Sequence, residues 1–193
     1  QGLRERGVYD QTLIVVTADH GEALGEHGQI GHGQNLYDEV LRVPLIVKPQ
    51  RGCDDFPALA KLKHAPVRQM DIVPTALELL GLRGLPGAEG QSLLVEADRT
   101  HFAEIHPPEA AHSMLCRRDE RYKLVFTAGD NKWELYDVTA DTLEADNVFE
   151  VQGHFRSNWQ TELRQLALNS PQAANARMGM TSKRPEYLKA LGY

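Results

Sequence analysis

The feature that most constrains the fold is an apolar, β-branched run, Thr12 to Thr17, that leads directly into Asp19-His20-Gly21. Such a run forms a strand, and one this continuously apolar is expected to be buried on both faces, as in a parallel sheet. Ligands of α/β proteins collect at the carboxyl ends of such strands. Asp19 offers hard carboxylate oxygens and His20 an imidazole, a mixed set suited to a divalent cation. Gly21 lets the backbone turn sharply, so that neighbouring side chains can converge. An Asp-His pair by itself is more often a surface turn than a metal site.

The residues downstream of the pair reverse that weighting. The chain continues through Gly25-Glu26-His27-Gly28, His32-Gly33, Leu36-Tyr37-Asp38-Glu39 and Arg42-Val43-Pro44-Leu45-Ile46. Read in order, this string resembles the second metal-binding segment of the type I sulfatases, in the alkaline phosphatase-like superfamily. The likeness extends to Gln69–Gly81, similar to the family's Asp-x-x-Pro-Thr helix, and to Gly90-Gln-Ser-Leu93. Further on it takes in Arg121–Leu124, Glu134–Asp137 and Asp141–Asn147, where Thr142 replaces the family's usual proline, and the ending Tyr187–Tyr193.

The resemblance implies an α/β fold: the C-terminal part of an alkaline phosphatase-like α/β/α sheet, followed by a small antiparallel sheet with a packed helix. It implies a sulfuric ester hydrolase that uses a divalent metal, calcium by family likeness, with manganese and magnesium as alternatives. Asp19 and His20 would be metal ligands. His32, thirteen residues after Asp19, falls where the family places a Lys or His touching the sulfate and the leaving oxygen. Imidazole suits that catalytic and substrate-binding role because it titrates near neutrality. For His27 two readings stay open: it lines the substrate pocket, or it hydrogen-bonds its own loop. Glu22 and Glu26 either orient a histidine or face solvent. Tyr37, Asp38, Glu39 and Arg42 read as structural. His101, His106 and His112 match no motif; His106 lies beside Pro107-Pro108, in a loop open to substrate contact, but reads as an ordinary loop histidine.

The resemblance also implies what this segment lacks. The family's nucleophile is a formylglycine made from the Cys of Cys-x-Pro/Ala-Ser-Arg. Neither Cys53 (Gly-Cys-Asp-Asp) nor Cys116 (Leu-Cys-Arg-Arg) sits in that motif, and the paired aspartates that complete the metal site are missing as well. The chain therefore reads as the C-terminal portion of a longer enzyme, inactive alone. Two alternatives remain. One is a phosphonate monoester hydrolase or phosphodiesterase of the same superfamily, acting on a phosphate or phosphonate ester. The other is a non-catalytic remnant with a binding or assembly role.

Composition bounds the rest. The chain has 193 residues, enough for a medium-sized core. A net charge of −6 argues against a nucleic-acid partner. No apolar run is long enough to span a bilayer. Two cysteines in unrelated contexts make neither a disulfide framework nor a zinc site. The open strand face leads us to expect either a homo-oligomer or membership of a larger polypeptide. The sequence does not decide between a cytoplasmic and a periplasmic location.

Further elements are expected from local pattern. A short helix is expected over 36–41 and a strand over 43–47. A helix capped by Asp71 runs to Leu80, with Pro74 in its first turn and Gly81 ending it. Strands are expected at 100–105, 112–117, 121–127 and 132–136, with turns at 118–121 and 128–131. An amphipathic helix over 155–168 presents Phe155, Trp159, Leu163 and Leu166. The expected division is into an α/β part, 1–98, and a β part with helix and tail, 99–193.

Overall fold

A computed structural model of the chain describes residues 2–62, 67–96, 100–106 and 113–169. His112, the Pro107-Pro108 pair and the Tyr187–Tyr193 ending lie outside the described residues. In chain order the helices and strands are α1 (Gly2–Glu5), β1 (Ile14–Thr17), β2 (Ala23–Leu24), β3 (Ile30–Gly31), α2 (Asp38–Leu41), β4 (Leu45–Lys48), α3 (Phe56–Lys61), α4 (Ile72–Leu79), β5 (His101–Ile105), β6 (Met114–Arg118), β7 (Tyr122–Thr127), β8 (Lys132–Asp137), α5 (Phe149–Gln152) and α6 (Ser157–Asn169). No helix among the described residues is long and apolar enough to cross a membrane.

The chain divides into two compact units, and the division is not a single cut. Among the described residues, those of 2–21 and 42–101 form the first, and those of 22–41 and 102–169 the second. Sequence pattern leads to one boundary near residue 98. In the structure the stretch 22–41 is instead packed into the C-terminal unit.

In the first unit, β1 pairs with β4, and the pairing is antiparallel: Val15 lies opposite Val47 and Val16 opposite Ile46. This corrects the expected parallel neighbour. One face, carrying Val15, Leu45 and Val47, meets Ile72, Thr75, Ala76 and Leu79 of α4, together with Leu93. The other face carries Val16 and Ile46, which are 51% and 60% exposed. An apolar, β-branched run specifies a strand, but not its partner or how many of its faces are covered.

α4 runs over the expected span, but Asp71 does not cap it through its side chain. A 3-10 turn, Gln69–Asp71, leads into the helix, and the fully buried Asp71 carboxylate serves other groups. It accepts from Arg68 Nε at 3.1 Å and Arg68 Nη2 at 2.8 Å, and from the Gln91 backbone N–H at 2.9 Å. The Thr75 hydroxyl donates to the Asp71 carbonyl at 2.6 Å and accepts from Leu93 N–H at 2.9 Å. The Asp-x-x-Pro-Thr helix and the Gly-x-Ser-Leu loop are thus two halves of one hydrogen-bonded joint. Gly90 is glycine for a steric reason: a Cβ there would stand 1.9 Å from the Met70 carbonyl oxygen.

In the second unit the four-stranded sheet has the order β5-β6-β7-β8. Its strands match the expected segments within two residues. Leu124 and Phe126 of β7 point to one side, where Leu115, Trp133 and Leu135 join Trp159 and Leu163 of α6 in the main core. The helix stripe is narrower than expected. Trp159 and Leu163 are buried and Ala167 packs beside them, but Leu166 is exposed. Phe155 falls in the 3-10 turn before the helix. On the sheet's other face, Cys116 and Val125 pack against Leu36. With both faces covered, β7 is buried almost throughout.

Candidate functional site

In the first unit, β1 delivers Asp19 and His20 to a turn at its carboxyl end. Gln69 pins that turn, with its side-chain amide donating to the carbonyls of Ala18 and Asp19, each at 2.8 Å. The His20 backbone N–H donates to Asp19 Oδ1 at 3.0 Å. The ring nitrogen Nδ1 lies 2.8 Å from the Gly21 carbonyl and therefore carries the proton of a neutral ring. The lone pair is then on Nε2, which stands 3.9 Å from Asp19 Oδ2. Two donors sharing one cation at about 2.4 Å, at a right angle, stand roughly 3.4 Å apart. The residues thus fit as part of a divalent site, and the hydrogen bond from the other ring nitrogen to the Gly21 carbonyl is of the kind that usually accompanies a metal-bound histidine. Two donors are only part of a coordination shell. Among the described residues there is no group of three or more His, Cys, Asp or Glu that could hold a metal.

In the second unit, the hairpin of β2 and β3 pairs Ala23 with Gly31 and Leu24 with Ile30. His32 comes directly after it, between Gly31 (φ 93°) and Gly33 (φ 82°), two left-handed positions that let a tight loop present one side chain. Its Nδ1 lies 3.3 Å from Glu22 Oε1, so Glu22 orients this histidine. Glu26 does local work instead, accepting from Leu24 N–H at 2.6 Å.

His27 has both ring nitrogens engaged within the protein. Nδ1 lies 2.9 Å from Glu39 Oε1, and Nε2 lies 3.1 Å from the Glu144 carbonyl. Its ring stacks on Tyr37 at 3.6 Å with a 12° interplanar angle. Burial opposes protonation of this ring, but the hydrogen bonds it donates to the Glu39 carboxylate and the Glu144 carbonyl outweigh it and raise the pKa above 6.5. This geometry is that of the loop-bonding reading.

Sequence pattern missed a cluster in the same unit. Asp38 accepts from Arg118 at 2.6 Å on both oxygens and from Lys123 Nζ at 3.1 Å. Lys123, on β7, has no exposed surface, and its Nζ is also 2.7 Å from Glu144 Oε1. Glu144 Oε2 in turn accepts from the Asp38 backbone N–H at 2.6 Å. Burial works to raise the Asp38 pKa, but Lys123 and Arg118 overcome it and hold the carboxyl below its ordinary value. For Glu144 burial dominates and the pKa is raised. The remaining candidates are ordinary. His106 Nδ1 lies 2.7 Å from Ser113 Oγ. Both cysteines are unpaired, and burial pushes the Cys116 thiol up to about 11, which makes it unreactive.

Comparison with known proteins agrees with the motif reading. The family model described as Sulfatase matches residues 1–82. N-acetylglucosamine-6-O-sulfatase of Bacteroides thetaiotaomicron is 32% identical over 178 residues, covering 85% of this chain and 31% of that protein. The structure of BT4656 in complex with its substrate D-glucosamine-2-N,6-O-disulfate superposes with a TM-score of 0.65 at 28% identity, covering 85% of this chain and 35% of the other. A phosphonate monoester hydrolase from Silicibacter pomeroyi gives 0.64 at 28% identity, over 88% of this chain and 37% of the other. The chain spans about a third of the length of these relatives. The likeness in fold bears out the α/β, alkaline phosphatase-like class expected from the motifs. The chain belongs to the sulfatase family of the alkaline phosphatase-like superfamily.

Proposed function

We propose that this chain supplies part of the active site of a sulfuric ester hydrolase. Asp19 and His20 contribute two ligands to a divalent cation, calcium by preference, and His32 contacts the sulfate and the leaving oxygen. The observation that carries the reading is the turn after β1. There Gln69 holds the backbone of Asp19, and the lone-pair nitrogen of His20 lies beside the Asp19 carboxylate.

When bound, the cation neutralises charge on the sulfuryl oxygens. The chain's own groups do the rest of what it can do. Asp19 and His20 bind and orient. His32, with Glu22 fixing its Nδ1 side, exchanges a proton or hydrogen bond with the ester oxygen through Nε2. His27 braces the loop through Glu39 and the Glu144 carbonyl. Neither Cys53 nor Cys116 fits a formylglycine precursor, since the flanking residues are wrong and Cys116 is buried within β6. No nucleophilic step is assigned to this chain.

The test is hydrolysis of a nitrophenyl sulfate and a phenyl phosphonate by the complete protein. Asp19→Ala and His32→Ala should each lower kcat/KM by about a hundredfold or more. Turnover unchanged in both variants would refute the assignment. The phosphonate arm addresses the second reading, which the Silicibacter pomeroyi likeness supports. A preference for the phosphonate would make this a phosphonate monoester hydrolase segment. Absence of both activities would favour a binding or assembly role.

A further inference from the structure

We propose that Lys123 is a positioning residue. Through Asp38 and Glu144 it locks the stretch 22–41, and with it His32, onto the C-terminal sheet in a single orientation. The inference rests on the role proposed for His32. Lys123 lies on the β7 face away from α6, next to Val125, where Leu36 packs. Its ammonium is fully buried between a carboxylate that begins α2 and one from the turn after β8. The same two residues are linked directly, because the Glu144 carboxylate also accepts the Asp38 backbone N–H. Glu144 has φ 52°, so its backbone is held in the left-handed region, and its carbonyl is the partner of His27 Nε2. A second tie lies alongside, with the Tyr37 hydroxyl donating to Glu134 of β8 at 3.2 Å.

Charges are a poor way to hold a core together. A buried ion cluster is often no more stabilising than apolar residues of the same shape. What it adds is specificity of register: Leu36 and Val125 could slide past one another, whereas Lys123 and two hydrogen-bonded carboxylates have one good arrangement. The Arg-Tyr-Lys-Leu and Asp-x-x-Glu motifs at 121–124 and 141–144 are then part of the catalytic apparatus at one remove. They present the ammonium and the carboxylate that hold the His32 loop.

Three full-chain variants test this: Lys123→Met, the neutral triple Lys123→Met/Asp38→Asn/Glu144→Gln, and His32→Ala. Amide hydrogen exchange is read at 22–38 and at 124–126, with the ring proton–carbon signals of His27 and His32 as a spectroscopic check. In the neutral triple the Lys123 ammonium and its two carboxylates are removed together, and Arg118, whose side chain is 24% exposed, loses its Asp38 carboxylate to solvent. The triple's 124–126 amides should stay protected, while the loop amides exchange about tenfold faster or more and the two histidine signals move or broaden. Lys123→Met should loosen the loop at least as much. The proposal is overturned if the triple protects the loop as well as the natural sequence does, because the cluster would then only fill space. It is also overturned if loop and sheet amides accelerate together in every variant carrying Lys123→Met. His32→Ala should leave loop exchange unchanged. Its effect on sulfate ester turnover is measured separately, so failure of the functional reading is distinguishable from failure of the lock.

Discussion

Thr75 makes the joint of the first unit testable. Its hydroxyl donates to the Asp71 carbonyl and accepts from Leu93 N–H, and all three groups are at or near full burial. Thr75→Val keeps the branched shape and removes the hydroxyl. The Leu93 N–H then loses its acceptor in a dry setting, at a cost of about 1–3 kcal/mol. Taking about 2 kcal/mol as the centre, Leu93 amide exchange should speed up roughly thirtyfold if it proceeds by local opening. The midpoint of thermal unfolding should fall roughly 4–8 °C for a chain of this size. Thr75→Ser is the control. It keeps both hydrogen bonds and loses one methyl, a cost of about 1 kcal/mol. Exchange at Leu93, followed by NMR, and thermal unfolding by circular dichroism supply the two readings. If Val is as well tolerated as Ser, the hydroxyl does not join the helix to the loop, and the two motifs do not form one joint.

Gly90→Ala should cost about 3 kcal/mol, because its methyl meets a backbone oxygen and no flexible side chain is available to yield; a melt within a degree of the natural chain would contradict this. The folded-state pKa of His27 lies above 6.5, so protonation adds stability that is complete below pH 6.5 and is lost as pH rises through the folded value. Protection of the 22–38 amides should accordingly fall as pH rises above 6.5, and His27→Gln should remove that dependence. Asp19 and His20 alone are too few donors for tight binding, so calorimetry of this chain with calcium should show no micromolar site. The open face of β1 and β4, with Val16 and Ile46 more than half exposed, should drive self-association at tens of micromolar in sedimentation. Val16→Thr with Ile46→Thr should weaken that association, and a monomeric natural chain would refute the expectation.

Local chemistry carried much of the fold into view. The strands of the C-terminal sheet are legible because Arg118–Arg121 and Ala128–Asn131 are turn formers between β-rich runs, and Asp119 then accepts the N–H groups of Arg121 and Tyr122. α4 is legible from Pro74 at its start and Gly81, at φ 66°, at its end. What was not legible is long-range. The apolar run of β1 gave no indication that its neighbour would be antiparallel β4. Asp71 reads as a cap because a cap is local, whereas its actual partners include a backbone N–H twenty residues away.

The membership of the loop 22–41 is the clearest case. Asp38 and Lys123 are 85 residues apart, and no periodicity links them. One signal did exist. Tyr122-Lys-Leu-Val-Phe126 is apolar at both parities, which marks a strand covered on both faces. A lysine in the middle of such a strand cannot reach water by facing out. It must meet a carboxylate, since an unpaired buried ammonium is too costly to keep. That reasoning calls for an acidic partner from a segment lying across the second face. Asp38, two residues beyond the buried Leu36, is where the structure provides it. The same reasoning explains how one chain can combine a legible metal turn with a loop whose placement is hidden. The Asp19-His20-Gly21 run that marks the turn is contiguous in sequence, but the loop carrying His32 is held by Asp38, Lys123 and Glu144, which lie far apart in it.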